Sequence, residues 1–297
     1  MDTLLKVWSE DGMRRIVCLT MKSQKISSNG QSAPIRDAVA ALSDTAPQIT
    51  AFGAFFAQGH DTGIHHHDRA QFVHAERGLL QVWTEEGQWS VPPGMAVWVP
   101  AQVPHRVRAI SDADFVSLYI RAPRGGEPEI PVPARCGVVT VSPLLKHLIV
   151  HLKELSTGSD GDRQNRLAAV IADELTEPVS ADLHLPIPSD RRAARVALAM
   201  IEDPSDDRDL AAWGREVGAS GRTLTRHFIA ETGLSFSEWR QRCRLFAALE
   251  MLSAGKSITA IALDAGYRSP SAFSAAFIKI FGLSPRHYRI ASHPEGR

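Results

Sequence analysis

The sequence predicts a multidomain α and β protein: a small antiparallel β-barrel, then a helical hairpin, then an all-α region made of two copies of a helix-turn-helix unit. Three observations carry this. From Ile49 to Ile120, short runs rich in Val, Phe and Trp ("LLQVWT", "GQWSV", "MAVWVP") are punctuated by Gly and Pro, the texture of an antiparallel barrel or sandwich. Next, "SPLLKHLIVHLKELS" and "DRQNRLAAVIADELT" carry apolar residues at helical spacing around a Gly-containing turn. Finally, "LAAWGREVGASGRTLTRHFIAETGLS" from Leu210 is repeated by "ITAIALDAGYRSPSAFSAAFIKIFGLSP" from Ile258, at an offset of 48 residues through Gly218 and Gly266 and of 49 from Phe228 and Phe277 onward.

Composition sets the frame for these elements. A chain of 297 residues with 44% apolar residues, 22% charged residues and no net charge can bury two ordinary cores, and it excludes disordered, collagenous and membrane classes. No apolar run approaches the ~20 residues that span a bilayer, and "MDTLLKVWSEDGMRRIV" lacks a signal peptide's apolar stretch, so a cytoplasmic protein is expected. Cys18, Cys136 and Cys243 are too scattered for a disulfide framework and read as buried bystanders. The neutral total hides an asymmetry: 16 Lys and Arg face 12 Asp and Glu from Asp190 onward, against 17 and 21 before it. The basic part is the one suited to nucleic acid.

In chain order, residues 1–45 lack sustained periodicity and read as a poorly ordered arm. Residues 46–135 are the barrel, in which Trp83, Trp89 and Trp98 are expected in the core, with one able to line a pocket. Residues 136–189 are a helical region ending in the linker "ADLHLPIPSD"; the series Leu144, Leu148, Leu152 and Leu155 serves either as a cap on the barrel or as a dimer interface. Residues 190–290 are helical throughout, with helix-turn-helix units at about 208–230 and 257–280, and 291–297 form a tail. In each unit a small apolar helix ends at Gly218 or Gly266, where a left-handed residue is needed. Ser220 or Ser269 then caps the next helix, which closes at Gly233 or Gly282.

Two such units separated by a helix of about five turns present both second helices to successive major grooves, roughly 34 Å apart along a duplex. On the first, Arg222, Thr225 and Arg226 fall at i, i+3 and i+4, away from Leu224 and Phe228, and Arg reads guanine through paired hydrogen bonds. "GYRSPSAFSAAFIKIFGLSPRHYR", residues 266–289, resembles the signature of the AraC/XylS family of bacterial transcription regulators, over about 100 residues from Arg191. The resemblance implies a seven-helix DNA-binding domain joined to an effector-binding or dimerising domain. It implies DNA contacts by Arg222, Thr223, Thr225 and Arg226 in the first unit and by Arg268, Ser269, Ser271 and Ser274 in the second. Ala275 stands where many members carry a long polar or basic side chain.

The barrel carries "GHDTGIHHHDRAQFVHAERG", with four of the chain's 12 histidines within ten residues. Strand alternation points His65 and His67 one way and His66 the other; Gln71 returns to the same side, and His105 follows "GMAVWVPAQVPH". His66 and His74 are expected to be outward-facing or satisfied, and His60 to sit at the rim. The spacing resembles the cupin superfamily, with Gly59, His65, His67, Gln71 and Gly78 on its first motif and Gly94, Pro100 and His105 on its second. It departs where Gln71 replaces a Glu, Gln102 a Gly and Ala109 an Asn. Three readings stand open. His65, His67, Gln71 and His105 hold one divalent transition metal (Fe, Ni, Zn, Mn or Cu), or they bind an organic anion or polar effector, or they merely hydrogen-bond.

The functional expectation is a sequence-specific DNA-binding transcription regulator, a homodimer on promoter DNA, whose cupin-like domain senses a metal or small molecule. An oxygenase or isomerase with a DNA-binding tail is the rival from another class; the missing carboxylate at position 71 and the absence of a general base in the motif count against it. A regulator with no effector is the third possibility.

Overall fold

A computed structural model describes residues 47–125, 129–130, 132–155, 161–175 and 183–292. The expected arm with Cys18, the turn between the hairpin helices and the last residues of the tail lie outside the described residues. The strands are β1 (Ile49–Phe56), β2 (Ala70–Ala75), β3 (Leu80–Thr84), β4 (Gly87–Val91), β5 (Met95–Val99), β6 (Arg106–Ala109), β7 (Ala113–Ile120), β8 (Gly137–Thr140) and β9 (His184–Pro186). They form two antiparallel sheets, one ordered β1-β7-β2-β5-β8 and the other β6-β3-β4-β9. Val73, Val82, Trp89, Val97, Val107 and Phe115, all at most 2% exposed, fill the space between them.

The motif glycines bend the chain at the strand joints. Gly59, Gly78 and Gly94 all have φ between 82° and 84°. At Gly78 a Cβ would lie 2.1 Å from the Asp112 carbonyl oxygen, so the position excludes any side chain. Gln102, where the cupin pattern has Gly, is held at φ 64°, and it is the one non-glycine with positive φ among the described residues.

The segment 136–189, expected to be helical, also supplies two strands. Val138 and Val139 give β8 the β-branched character that pairs with β5. β9 pairs with β4 in the register Gln88↔Leu185 and Trp89↔His184. Between them lie α1 (Pro143–Leu155) and α2 (Gly161–Glu174), packed on the outer face of the five-stranded sheet. The Leu series divides: Leu145, Ile149 and Leu152 face the sheet, while Leu144 is 53% exposed and Leu148 half-buried. His74, expected to be outward-facing or satisfied, points out of the barrel interior and is buried beneath this layer at 2% exposure, with its Nδ1 donating to the Met95 carbonyl.

Seven helices follow: α3 (Arg191–Glu202), α4 (Leu210–Val217), α5 (Gly221–Thr232), α6 (Phe236–Ser253), α7 (Ile258–Asp264), α8 (Pro270–Phe281) and α9 (Pro285–Ser292). The repeated turn chemistry recurs in both copies. Ser220 accepts from the Thr223 amide and Ser269 from the Ala272 amide, while Gly218, Gly266, Gly233 and Gly282 sit at φ 70–74°. α6 is the central helix, fixed at its start by a Ser235–Glu238 capping box, with Trp239, Cys243, Phe246 and Leu249 buried. Among the described residues no helix is long and apolar enough to cross a membrane.

Candidate sensor site and nucleic-acid interface

His65, His67, Gln71 and His105 converge at one end of the barrel. His65 lies opposite His105, each amide donating to the other's carbonyl at 2.9 Å, and Gln71 enters from β2. The ring centroids of His105 lie 4.4 Å from His65 and 5.1 Å from His67, and one nitrogen from each of the three rings falls within 4.8 Å of the others. His105 is 1% exposed; His65 and His67 are half-buried and open the site to solvent; His66 is exposed. His60 is half-buried and stacks on Phe56 at 4.1 Å.

Hydrogen bonding fixes which atoms face inward. His65 Nδ1 donates to the Gly63 carbonyl at 3.0 Å, His67 Nδ1 to Arg69 at 2.6 Å and His105 Nδ1 to Val103 at 2.8 Å. A carbonyl only accepts, so each Nδ1 carries the proton and each Nε2 of a neutral ring presents a lone pair. The Gln71 amide nitrogen donates to Ser117 Oγ and to the Tyr119 hydroxyl, both at 2.9 Å, and Ser117 passes its own proton to the Phe72 carbonyl. Gln71 Oε1 is thereby turned toward the rings, 2.8 Å from His105 Nε2 and 3.2 Å from His67 Nε2. Burial pushes His105 down to about 3, with the neighbouring His65 acting in the same direction. Burial also lowers His67, against the pull of Gln71 Oε1.

Near neutral pH, then, His105 and Gln71 oppose acceptor to acceptor with no proton between them, and His67 presents a further acceptor to the same point. That arrangement is unfavourable for an empty polar cluster and favourable around a cation. Three imidazoles and a neutral oxygen suit a borderline divalent transition metal. Sequence reasoning missed Ser117 and Tyr119, which orient the amide. Their signal was a polar pair two residues apart in the otherwise apolar "FVSLYI" of β7.

The second site lies on the helical domain. Arg222, Thr225 and Arg226 of α5 are exposed together, as are Arg268 and Ser271 at the start of α8. Arg222, Arg226 and Arg268 form no ion pair or hydrogen bond among the described residues, whereas Arg240, Arg242 and Arg244 of α6 each donate to backbone carbonyls and serve the fold. Thr223 is half-buried and shares a hydrogen bond with Ser220, Ser269 is occupied as a helix cap, and Ser274 is half-buried. Ala275 is exposed.

A jelly-roll-like sensor domain followed by tandem helix-turn-helix units defines a class of ligand-responsive DNA-binding proteins, and the chain belongs to the AraC family of transcription regulators. Residues 54–171 match the family described as an AraC-like ligand binding domain, and residues 213–291 match a helix-turn-helix domain. The HTH-type transcriptional regulator NimR of Escherichia coli is 33% identical over 227 residues, covering 76% of this chain and 81% of that protein. The HTH-type transcriptional regulator RipA of Corynebacterium glutamicum is 36% identical over 100 residues, 34% of this chain and 30% of that protein. An AraC-type DNA-binding protein structure from Chromobacterium violaceum is 27% identical, covering 36% of this chain and 97% of its own, with a TM-score of 0.34. These curated relatives are transcription regulators rather than enzymes, which sets the oxygenase or isomerase reading aside.

Proposed function

We propose that this regulator senses a divalent transition metal at His65, His67 and His105, with Gln71 Oε1 as a fourth, neutral donor, and reads promoter DNA chiefly through α5. The observation that carries the metal reading is the acceptor-only cluster, in which every Nδ1 is held by a backbone carbonyl and every inward atom has a lone pair to give. The metal would supply the positive charge that those lone pairs lack. Because the barrel interior is already filled by Phe56, Trp89 and Phe115, an ion fits it better than a bulky organic effector does.

Arg222 and Arg226 are the specificity residues of this reading, Thr225 adds a methyl contact, and Arg268, Ser271 and Ser274 position the second unit on phosphate and sugar. Thr223 and Ser269 act through the turn geometry they fix. The exposed Leu144 and Val170 on α1 and α2 support a homodimer, so the operator would carry paired half-sites. A cytoplasmic location goes with this role.

Chelator-stripped protein, titrated with Ni(II), Zn(II), Fe(II) and Mn(II) and assayed on DNA upstream of its own and adjacent genes at fixed salt, tests the proposal. The expected result is one bound metal per chain and a changed DNA affinity, both lost in the His65/His67/His105 triple alanine variant. Tight DNA binding indifferent to every metal would defeat the sensor reading and leave the regulator.

A further inference from the structure

Among the described residues of the helical domain, Ile229 on α5 and Ile278 on α8 are large apolar side chains left 51% and 45% exposed. They occupy one slot of the repeat: the offset of 49 residues that carries Phe228 onto Phe277 carries Ile229 onto Ile278. A lone exposed apolar residue is ordinary on a protein surface. Recurrence at the same slot of both second helices is not scatter.

The slot lies in the middle of the reading face. At 3.6 residues per turn, Arg222, Thr225, Arg226 and Ile229 fall within an arc of about 100°, with Ile229 between the directions of Thr225 and Arg226. Ser271, Ser274, Ala275 and Ile278 repeat that arc on α8. The opposite side carries Leu224 and Phe228 on α5 and Phe273 and Phe277 on α8, all 0% exposed. Positions i, i+3, i+4 and i+7 are those that a helix laid in the major groove turns toward base edges. Ile229 stands about 10 Å along the axis from Arg222, in a helix that continues to Thr232.

Its neighbours on the face share its chemistry. Thr225 Oγ1 donates to the Gly221 carbonyl at 2.9 Å, which ties the hydroxyl to the helix and leaves the methyl group as the outward contact. Ala275, exposed on α8, offers only a methyl group. Of the groups that base pairs display in the major groove, the apolar one is the C5-methyl of thymine. A phosphate or a polar base edge set against Ile229 would lose water and gain no hydrogen bond.

We propose that Ile229 and Ile278 are specificity residues that each pack on a thymine methyl group, so that an A·T pair is read at matching places under α5 and α8. One chain then selects two thymines roughly one helical turn apart, the spacing of successive major grooves. The inference rests on the placing of α5 and α8 in those grooves. It gives α8 a share in sequence reading that Ser271, Ser274 and Ala275 do not supply by themselves.

Replacing thymine by deoxyuridine deletes the methyl group and keeps every hydrogen bond of the pair, so it removes the contact from the DNA side. The test selects preferred sites of the full chain from random-sequence DNA, then measures affinity at fixed salt as each thymine is replaced in turn. For wild type, two replacements about one turn apart should each weaken binding about fourfold, the worth of one buried methyl-sized group. Ile229→Ala should abolish one of these losses and Ile278→Ala the other; both positions are about half exposed, so truncation leaves the core intact. General destabilisation cannot remove one methyl effect and spare its twin. The proposal is overturned if no thymine is sensitive to its methyl group, or if both variants keep both losses. It is overturned in favour of a protein partner if the variants bind DNA as wild type does and fail only in transcription by RNA polymerase. Arg226→Ala, measured beside them, separates this inference from the reading beneath it. Weakened binding there with no methyl effect at any thymine defeats the isoleucine contacts alone. Unchanged binding there, with both methyl losses abolished by the isoleucine variants, removes Arg226 from the reading and keeps the contacts. Selection that yields no preferred site would sink both.

Discussion

Replacing Gln71 by Glu gives the sharpest test of the metal reading. The side chain is 1% exposed, with its oxygen 2.8 Å from His105 Nε2 and 3.2 Å from His67 Nε2, so a carboxylate there joins the ligand cluster directly. Two effects oppose each other. Without metal, the buried charge loses its hydration at a cost of several kcal/mol, partly offset by the Ser117 and Tyr119 hydroxyls 2.9 Å from the present amide nitrogen. With metal, the attraction between unit charges about 4 Å apart is about 4 kcal/mol at an effective dielectric of about 20, and a dication doubles it. The desolvation cost is already carried by the metal-free fold, so it shows as lost stability and not as lost affinity, and the attraction raises the affinity by at least about 100-fold. Competition titration against a chelating dye measures the gain, and urea unfolding of chelator-treated protein should show a loss of about 2–4 kcal/mol. An affinity equal to wild type would refute the argument, because it would mean that the oxygen at position 71 does not face the ion.

Three further outcomes follow from positions already described. Arg226→Ala should reduce specific DNA binding by about 1–3 kcal/mol while Ala275→Arg leaves it intact; competition gel shifts against non-specific DNA check this, and the opposite ranking would reject α5 as the reading helix. Gln102→Gly relieves a left-handed residue that costs roughly 1–2 kcal/mol and gives back roughly 0.5–1 kcal/mol in chain entropy. The urea midpoint should therefore rise, by about 0.5–1 kcal/mol in stability. His184, stacked on Trp89 at 4.2 Å, is held neutral by burial down to about 4. Between pH 6.5 and 4 the unfolded chain binds a proton that the folded chain refuses, so this contribution is complete above 6.5 and is lost as pH falls toward 4. Its size is on the order of 2 kcal/mol for a half-buried ring, and a His184→Phe variant should show a flatter stability curve over that window in urea titrations.

What the sequence disclosed and what it withheld divide along physical lines. The tandem helix units were readable because their turns depend on local chemistry, with Ser220 and Ser269 as caps and glycines at positive φ. The histidine spacing was readable because strand alternation alone places His65 and His67 on one side. The strands β8 and β9 were not, since four residues and three residues show no period, and β9 is set among prolines. The Leu144 to Leu155 series left cap and dimer interface open because α1 is apolar on more than one face, and the sheet beneath it selects Leu145, Ile149 and Leu152. The amide orientation of Gln71 depends on Ser117 and Tyr119, 46 and 48 residues away, a relation that exists only after folding.

The double allegiance of β9 limits where this chain can be divided. Its backbone belongs to the barrel, as the fourth strand of a sheet, while its carbonyls and Leu185 serve the helical domain. A sensor fragment ending at Leu175 would leave β4 as a bare edge presenting Ser90 and Gln88, an invitation to intermolecular strand pairing. One ending after Pro188 would retain the edge guard but expose Leu185 in place of its contacts with α6. Fragments of the first kind should aggregate and those of the second stay dispersed, so swapping sensor and DNA-binding halves between relatives calls for a cut after β9, not before it.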